Sequence, residues 1–328
     1  MPFNDQSAFV LLAIVNVFAD VMDSRLSDGT SVLPRMPVDL GVWSQWIGSI
    51  TADRLRQANV IFLREEHPET RAAAQIQQHF DKELTQLFYM LQLSGVIEYD
   101  SAYLLTGVVH DGAPQIQQIS DFHTFYPSKG YSRTPITMAR LTQAASLRQG
   151  LQSIDAPPPR FARVIRGFHT LLNGLTRDKG QDRLHQFVRS LEALILPRAG
   201  ETKKQFIHRC QTFARPSPVA ELVLSEAFDM RSDTEHLHDW NRALQAYPTT
   251  ERDNIAWHRT RQMEALATSA YSRILLNPAL RASFESETDQ QHFWKQAEGV
   301  RRATWGESLD LTAIPLVTRY DDWNRARL

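Results

Sequence analysis

The chain of 328 residues has little of what marks several large classes of protein. It contains one cysteine, Cys210, which excludes a disulfide framework and a cysteine-based metal site. The apolar run Ala8–Val15, which reaches Phe18 only across Asn16, is too short to span a bilayer. Asp5 and no Lys or Arg precede this run, so the basic region of a signal peptide is missing. These absences favour a protein of the reducing cytoplasm without a membrane segment.

The chain also lacks a strong overall charge. Its formal net charge of −1 excludes a strongly basic nucleic-acid-binding protein. The charge is unevenly placed, however: residues 1–155 hold 11 Lys/Arg and 16 Asp/Glu, and residues 160–215 hold 12 and 4. The second stretch, at +8, has the composition of a surface that binds a polyanion, and equally that of a solvated helix face.

Hydrophobic spacing predicts a mixture of helices and strands in the first 150 residues. The same residues contain no phosphate-binding glycine loop, nucleophile elbow or metal-ligand spacing. Residues 1–27 are predicted to form a buried helix, because Phe9, Leu12, Val15 and Phe18 fall on one stripe. The other predicted elements are helices from about Thr51, over Thr70–Leu93 and over Thr137–Leu151, and strands over Asn59–Arg64, Val96–Val109 and Gln115–Phe125.

Ser153–Pro159 contains three consecutive prolines and predicts a stiff linker. All that follows it has helical spacing, including one helix over Val219–Tyr247, another that starts after Tyr247 and runs through Leu276, and a last one over Glu285–Thr304. The predicted fold class is therefore α+β, with a mixed α/β N-terminal domain followed by an all-α helical bundle. The predicted domains are residues 1–152, a linker 153–159, a helical domain 160–276 and a helical extension 277–328.

The stretch Met230–Trp240 holds the most chemistry in the chain. Arg231 is a permanent cation whose planar fork suits phosphate oxygens, and His236 can transfer protons near neutral pH. Together they could hold a phosphodiester and catalyse attack on it. The plainer interpretation is the polar face of a helix. His236 and His238 also form an H-x-H pair, but on a helix these side chains point about 200° apart and cannot chelate one metal ion.

Two interpretations of the backbone are open in this stretch. Apolar residues every seven positions favour one continuous helix, in which Arg231 and His236 lie about 140° apart; these are Val223, Met230, Leu237 and Leu244. Alternatively, Ser232–Glu235 has the S-x-x-E spacing of a capping box, so that Ser232 would be the N-cap of a new helix. His236 would then lie near free N–H groups that favour an anion.

Three segments resemble the HEPN superfamily, and its ApeA-like branch most closely. They are the run Asp182–Leu194 around Leu-Glu192-Ala-Leu, then Thr202-Lys-Lys-Gln-Phe, then Met230-Arg-Ser-Asp-Thr-Glu-His236. The resemblance covers about residues 160–250 and implies a helical bundle that usually dimerises. Active members are metal-independent endoribonucleases with an R-x4–6-H motif, and many prokaryotic members are toxins or phage-defence proteins. The branch often has glycine after the motif histidine, where this chain has Leu237.

On this resemblance Arg231 and His236 are the predicted catalytic pair, and Glu192 takes the place of the family's acidic residue. His238 and Ser232 are additional candidates. The predicted RNA-contacting side chains come from the basic segment and are Arg183, Arg189, Lys203, Lys204 and Arg209. The predicted partners are RNA and a second copy of the chain, without metal or cofactor. The competing hypothesis is a non-catalytic, dimeric module that binds a nucleotide or a protein.

Overall fold

The computed structural model describes residues 3–69, 71–95, 97, 99–122, 135–155 and 160–316. These residues form an α+β fold, in which an N-terminal antiparallel sheet region precedes a mostly helical part. The chain divides into two compact units with the boundary between Arg148 and Gln149, inside the helix Met138–Ile154. The three prolines of the predicted linker lie outside the described residues, as does the end of the predicted strand Gln115–Phe125 beyond Phe122.

The first unit is built on a six-stranded antiparallel sheet in the order β3-β4-β5-β1-β6-β7. Its strands are β1 (Ala8–Val15), β3 (Ser24–Arg25), β4 (Ser31–Leu33), β5 (Ala58–Glu66), β6 (Ser101–His110) and β7 (Ala113–Asp121). A short parallel pair joins β2 (Ala19–Asp20) and β8 (Ile136–Thr137). The helices are α1 (Ser44–Ile47), α2 (Ser49–Arg56), α3 (Ala73–Leu93) and α4 (Met138–Ile154).

The prediction of a helix over residues 1–27 is wrong, because the apolar run forms β1 at the centre of the sheet. Strands β5 and β6 pair with it on either side, and all eight of its side chains are fully buried. Phe9 and Leu11 share a core cluster with Val38, Leu40 and Leu55. Helix α3 also packs against β1. A strand buried on both faces has a continuous run of apolar residues instead of an alternating pattern. Periodicity alone therefore cannot distinguish it from a buried helix.

The second unit is helical, and α6 is its central element. The helices are α5 (Ala162–Leu175), α6 (Gly180–Ile195), α7 (Thr202–Cys210), α8 (Pro218–Glu235), α9 (Arg252–Leu276), α10 (Pro278–Ala282), α11 (Glu287–Lys295) and α12 (Glu298–Trp305). Helix α6 packs against α5, α7, α8, α9 and α11. Its apolar stripe, which includes Leu184, Phe187 and Leu191, is fully buried.

Helices α5 and α6 approach closely because glycine lies at their contact. A Cβ atom on Gly167 would lie 1.9 Å from Tyr271 Oη and 2.5 Å from Ala193 Cβ. The same hydroxyl donates a hydrogen bond to the Ser190 carbonyl of α6 at 2.9 Å. Gly167 therefore leaves the space that lets Tyr271 connect α9 to α6.

The predicted last helix over Glu285–Thr304 is two helices, α11 and α12. The chain is extended at Gln296 and Ala297, with ψ angles of 154° and 146°. This break lets Trp294 and Trp305 both pack on Phe213, at ring-centre distances of 5.8 and 4.4 Å. Burial of the two indole rings thus stabilises two short helices in place of one continuous helix.

Candidate active site between two helices

The helix that carries the motif arginine ends at a point that neither interpretation of the sequence predicts. Helix α8 begins after Ser217, whose side chain accepts a hydrogen bond from the Ala220 N–H at 3.0 Å, and it ends at Glu235. Ser232 lies inside the last turn, so the prediction that it caps a new helix is wrong. The predicted continuation to Tyr247 is wrong as well, because the chain turns away after Glu235.

A Schellman motif terminates α8. The Leu237 N–H donates to the Thr234 carbonyl at 3.2 Å, and the His238 N–H donates to the Asp233 carbonyl at 2.8 Å. Leu237 has a φ of 58°, the left-handed conformation in which glycine is usual. Because a helix C-terminus presents carbonyl oxygens and partial negative charge, the predicted phosphate site on free N–H groups is wrong here.

The predicted apolar seam is interrupted at the same point. Val223, Met230 and Leu244 are buried, whereas the Leu237 side chain is 94 % exposed. The left-handed residue reverses the chain, so the seven-residue spacing no longer describes one helix face beyond it.

The segment after α8 folds back onto the last turn of the helix. The Trp240 indole donates hydrogen bonds to the Met230 carbonyl and to Thr234 Oγ1, both at 2.9 Å. The Arg242 guanidinium donates to Oδ1 of Asp233 at 2.7 Å, and Asp233 is only 1 % exposed. These contacts fix the end of α8 beside the candidate site.

The Arg231 guanidinium is held by two carboxylates. Its Nη2 donates to Glu192 Oε2 on α6 at 3.2 Å, and its Nη1 donates to Glu235, one turn further along α8. The side chains of Arg231 and Glu192 are 14 % and 13 % exposed, so their contact is sheltered between the two helices. The structure thus brings together Arg231 and Glu192, two of the three predicted catalytic residues.

Burial raises the pKa of the Glu192 carboxyl above its usual range. The charge of Glu235 acts in the same direction, while Arg231 and Arg189 oppose it. Glu192 Oε1 is buried and has no hydrogen-bond partner among the described residues, and the same holds for Arg231 Nε. Buried polar atoms usually have partners in folded proteins, so this ion pair keeps hydrogen-bonding capacity that its own side chains do not use.

The predicted catalytic histidine, His236, lies just past this ion pair. It is the C-cap residue of α8, its side chain is exposed, and its ring centre is 6.3 Å from that of His238, which is exposed too. Within the described chain, neither histidine forms a hydrogen bond or ion pair with the Arg231 side chain. His238 is not two turns along the helix face from Arg231, because the helix has ended before it.

Sequence reasoning missed His185, which the structure places in the same cluster. His185, Arg189 and Glu192 are spaced i, i+4 and i+7 on α6, so they share one helix face. The His185 imidazole lies beside the Arg231 backbone and near the Glu235 carboxylate. Burial, followed by the charge of Arg231, lowers its pKa below the usual value. The spacing along α6 was the signal that could have identified it.

Two of the five predicted RNA-contacting side chains have structural partners instead. Arg183 is 1 % exposed and donates from Nη2 to Glu264 Oε2 at 2.6 Å, so it is not at the surface and its prediction is wrong. Arg209 donates from Nη1 to the Ile195 and Leu196 carbonyls at 2.5 and 2.8 Å. Arg209 therefore satisfies carbonyl groups at the C-terminus of α6.

The other three predicted contacts lie at the surface. The Arg189 side chain is 53 % exposed, with Nη1 at 3.9 Å from Glu235 Oε1. Lys203 Nζ is bound by both carboxylate oxygens of Asp229, at 2.7 and 2.8 Å. Lys204 is exposed on α7. Arg189 is the cation of this group that borders the Arg231–Glu192 pair.

The part of the chain that the structure describes offers no group of three or more His, Cys, Asp or Glu side chains arranged to hold a metal ion. Its helices include none with the length and apolarity needed to cross a membrane.

Comparison of the chain with models of protein families, with curated proteins and with solved structures found no match. The functional proposal therefore depends on the contacts between α6 and α8 and on the resemblance of the motif.

Proposed function

We propose that the helical domain, residues 160–276, is a HEPN-type endoribonuclease that cleaves RNA without a metal ion. Arg231, His236 and Glu192 are its catalytic residues. The observation that supports the proposal is the 3.2 Å contact between Arg231 and Glu192. The resemblance assigned these two residues separately, from segments 39 positions apart, and an R-x4-H match arising by chance does not require a carboxylate at that place on the preceding helix.

The reaction is attack of an RNA 2′-hydroxyl on the adjacent phosphorus. Arg231 stabilises the charged phosphorane, His236 transfers a proton, and Glu192 orients the guanidinium through its Nη2. The phosphate replaces Glu235 at Nη1, because Glu235 is the more exposed of the two carboxylates, at 35 % against 13 % for Glu192. These protein groups supply proton transfer and charge stabilisation, so the cleavage proceeds in the presence of a chelator.

The active species is a homodimer that forms through the helical domain, and its partner molecule is RNA. One Arg–His pair beside Glu192 and Glu235 offers a phosphate little net positive charge, and two pairs facing one groove offer more. Light scattering at micromolar concentration tests this: the expected mass is twice that of the 37.5 kDa chain. A monomer under all conditions that support cleavage would contradict it. A role as a toxin or phage-defence protein follows from the family resemblance.

The second candidate function is a non-catalytic, dimeric module that binds a nucleotide or a protein. It is favoured by the pairing of Arg231 with two carboxylates, which is also typical of a structural ion pair. Among the described residues, the side chains of Arg231 and His236 share no hydrogen bond or ion pair, which fits this function as well. The two candidates differ in whether the protein breaks a phosphodiester bond.

Incubation of the full chain with a panel of fluorogenic RNAs in EDTA separates these candidates. We expect cleavage by the wild type and a loss of about 100-fold or more in Arg231→Gln. The matched control is Arg259→Gln, which removes another sheltered arginine–glutamate contact, to Glu226 at 2.6 Å, in the same unit. Activity that EDTA abolishes and Mg²⁺ restores would contradict the mechanism, and equal loss in both variants would show a general effect on folding.

A further inference from the structure

Three buried polar atoms without hydrogen-bond partners belong to the cluster between α6 and α8. They are Glu192 Oε1, Arg231 Nε and His185 Nδ1, and none has a partner among the described residues. Each atom can donate or accept a hydrogen bond, and leaving such a group unsatisfied is destabilising. Three of them lie around one ion pair, which leaves hydrogen-bonding capacity there for a polar group of a ligand or for water.

The groups around His185 fix its position and its charge state. The imidazole lies against the α8 backbone at Arg231, and the charged side chains that face it are Arg231, Glu235 and Arg189. Burial and the two arginines favour the neutral imidazole, while Glu235 and the Arg231 backbone favour the cation. The pKa is lowered on balance, so the imidazole is a proton acceptor at neutral pH.

Cleavage of RNA by 2′-hydroxyl attack needs two proton transfers, one from the nucleophile and one to the leaving group. Of the two histidines that fit the motif spacing, His236 is the one assigned to the reaction, and it lies at the exposed end of α8. The complete reaction therefore needs a second proton-transfer group, which comes either from this cluster or from the facing pair of the second copy of the chain.

We propose that His185 is a further catalytic residue, the general base of this site, which takes the proton of the RNA 2′-hydroxyl. The proposal rests on the endoribonuclease function proposed above and adds the base to it.

His185 takes the proton of the 2′-hydroxyl while the 2′-oxygen forms a bond to phosphorus. The bond between phosphorus and the 5′-oxygen breaks, and that oxygen receives a proton from protonated His236. The products are a 2′,3′-cyclic phosphate and a 5′-hydroxyl end, and both histidines then exchange protons with water.

The test compares His185→Asn with His169→Asn, a matched change at an exposed position of α5. The rates are measured on one RNA as a function of pH, and circular dichroism and thermal melting confirm folding. We expect His185→Asn to lose about 100-fold or more in kcat/KM and to lose the acidic limb of the wild-type pH profile. His169→Asn should behave as the wild type.

Two further measurements distinguish a base from a structural residue. Added imidazole should restore part of the activity of His185→Ala, since a small base can enter the space left by the side chain. Binding of a 2′-deoxy substrate analogue, which cannot be cleaved, should change less than threefold in His185→Asn.

Each outcome decides between the two proposals. A wild type that cleaves no RNA overturns both the endoribonuclease function and the role of His185. A cleaving wild type with His185→Asn within threefold of its rate and an unchanged pH profile overturns the role of His185 alone. If His185→Asn does not fold, the imidazole rescue of His185→Ala decides, and its absence in a folded protein contradicts the proposal.

Discussion

Glu192 and Arg231 meet across 39 positions of the chain, where the carboxylate of α6 accepts a hydrogen bond from the guanidinium of α8 at 3.2 Å. Burial of this pair limits the side-chain freedom of the arginine and raises the pKa of the Glu192 carboxyl. Glu235 and His185 belong to the same cluster, so an acid, a cation and a proton acceptor lie within one small region. That composition is the physical basis of the proposed phosphodiester chemistry.

The left-handed residue at the end of α8 gives a prediction about stability. Leu237→Gly should increase the free energy of unfolding by about 0.5–1 kcal/mol, because glycine adopts a φ of 58° without steric cost. The matched control is Leu222→Gly, at a half-exposed leucine inside α8, which should lower stability by about 1 kcal/mol. Urea denaturation measures both, and a destabilising Leu237→Gly would contradict the assigned conformation.

The contact between α5 and α9 gives a second prediction. Gly167→Ala should lower the free energy of unfolding by about 1–3 kcal/mol, because the new methyl group overlaps Tyr271 Oη and Ala193 Cβ. Gly299→Ala, in α12, adds the same methyl group where nothing lies within 4 Å and should be neutral or slightly stabilising. Thermal melting compares the two, and equal shifts in melting temperature would argue against close packing at Gly167.

His258 predicts a pH dependence of stability. Burial, followed by the charges of Arg259 and Arg261, lowers its pKa to about 4. The unfolded chain binds this proton near pH 6.5 and the folded chain only near pH 4, so the free energy of unfolding falls as the pH falls through that window. His258→Gln should flatten this slope, with His292→Gln at an exposed helix position as the control. An unchanged slope in His258→Gln would show that His258 is not the group responsible.

The two exposed histidines after α8 should differ in their effect on RNA cleavage. His236→Ala should abolish activity and leave folding intact, whereas His238→Ala should retain substantial activity. Both residues are exposed and only two positions apart, so each is the control for the other. Initial rates on a fluorogenic RNA measure the difference. An inactive His238→Ala beside an active His236→Ala would contradict the assignment of the motif histidine.

Much of the fold was predictable because most helices have a regular apolar stripe. The predictions of helices over Thr70–Leu93 and through Leu276 are confirmed by α3 and α9. The central strand β1 was not predictable from period, since both of its faces are buried and its apolar run is continuous. Local patterns distinguish a half-buried element well and a fully buried one poorly.

The candidate site was predictable only in part, for physical reasons that lie outside local sequence. The end of α8 depends on the left-handed conformation of Leu237 and on the contacts of Trp240 and Arg242 with the last turn of the helix. The spacing of apolar residues does not predict any of these features. The position of Glu192 beside Arg231 came from the family resemblance rather than from spacing. His185 could have been identified from its i, i+7 relation to Glu192 on one helix face.

The most direct test of the central claim is a double-mutant cycle on RNA cleavage. The value of kcat/KM is measured in EDTA for the wild type, Arg231→Gln, Glu192→Gln and the double variant, each with a check of folding. If the two residues act together on the phosphate, each single change lowers kcat/KM by about 100-fold or more, and the double change costs no more than the larger single one. Folded single variants that cleave RNA at the wild-type rate would contradict the account.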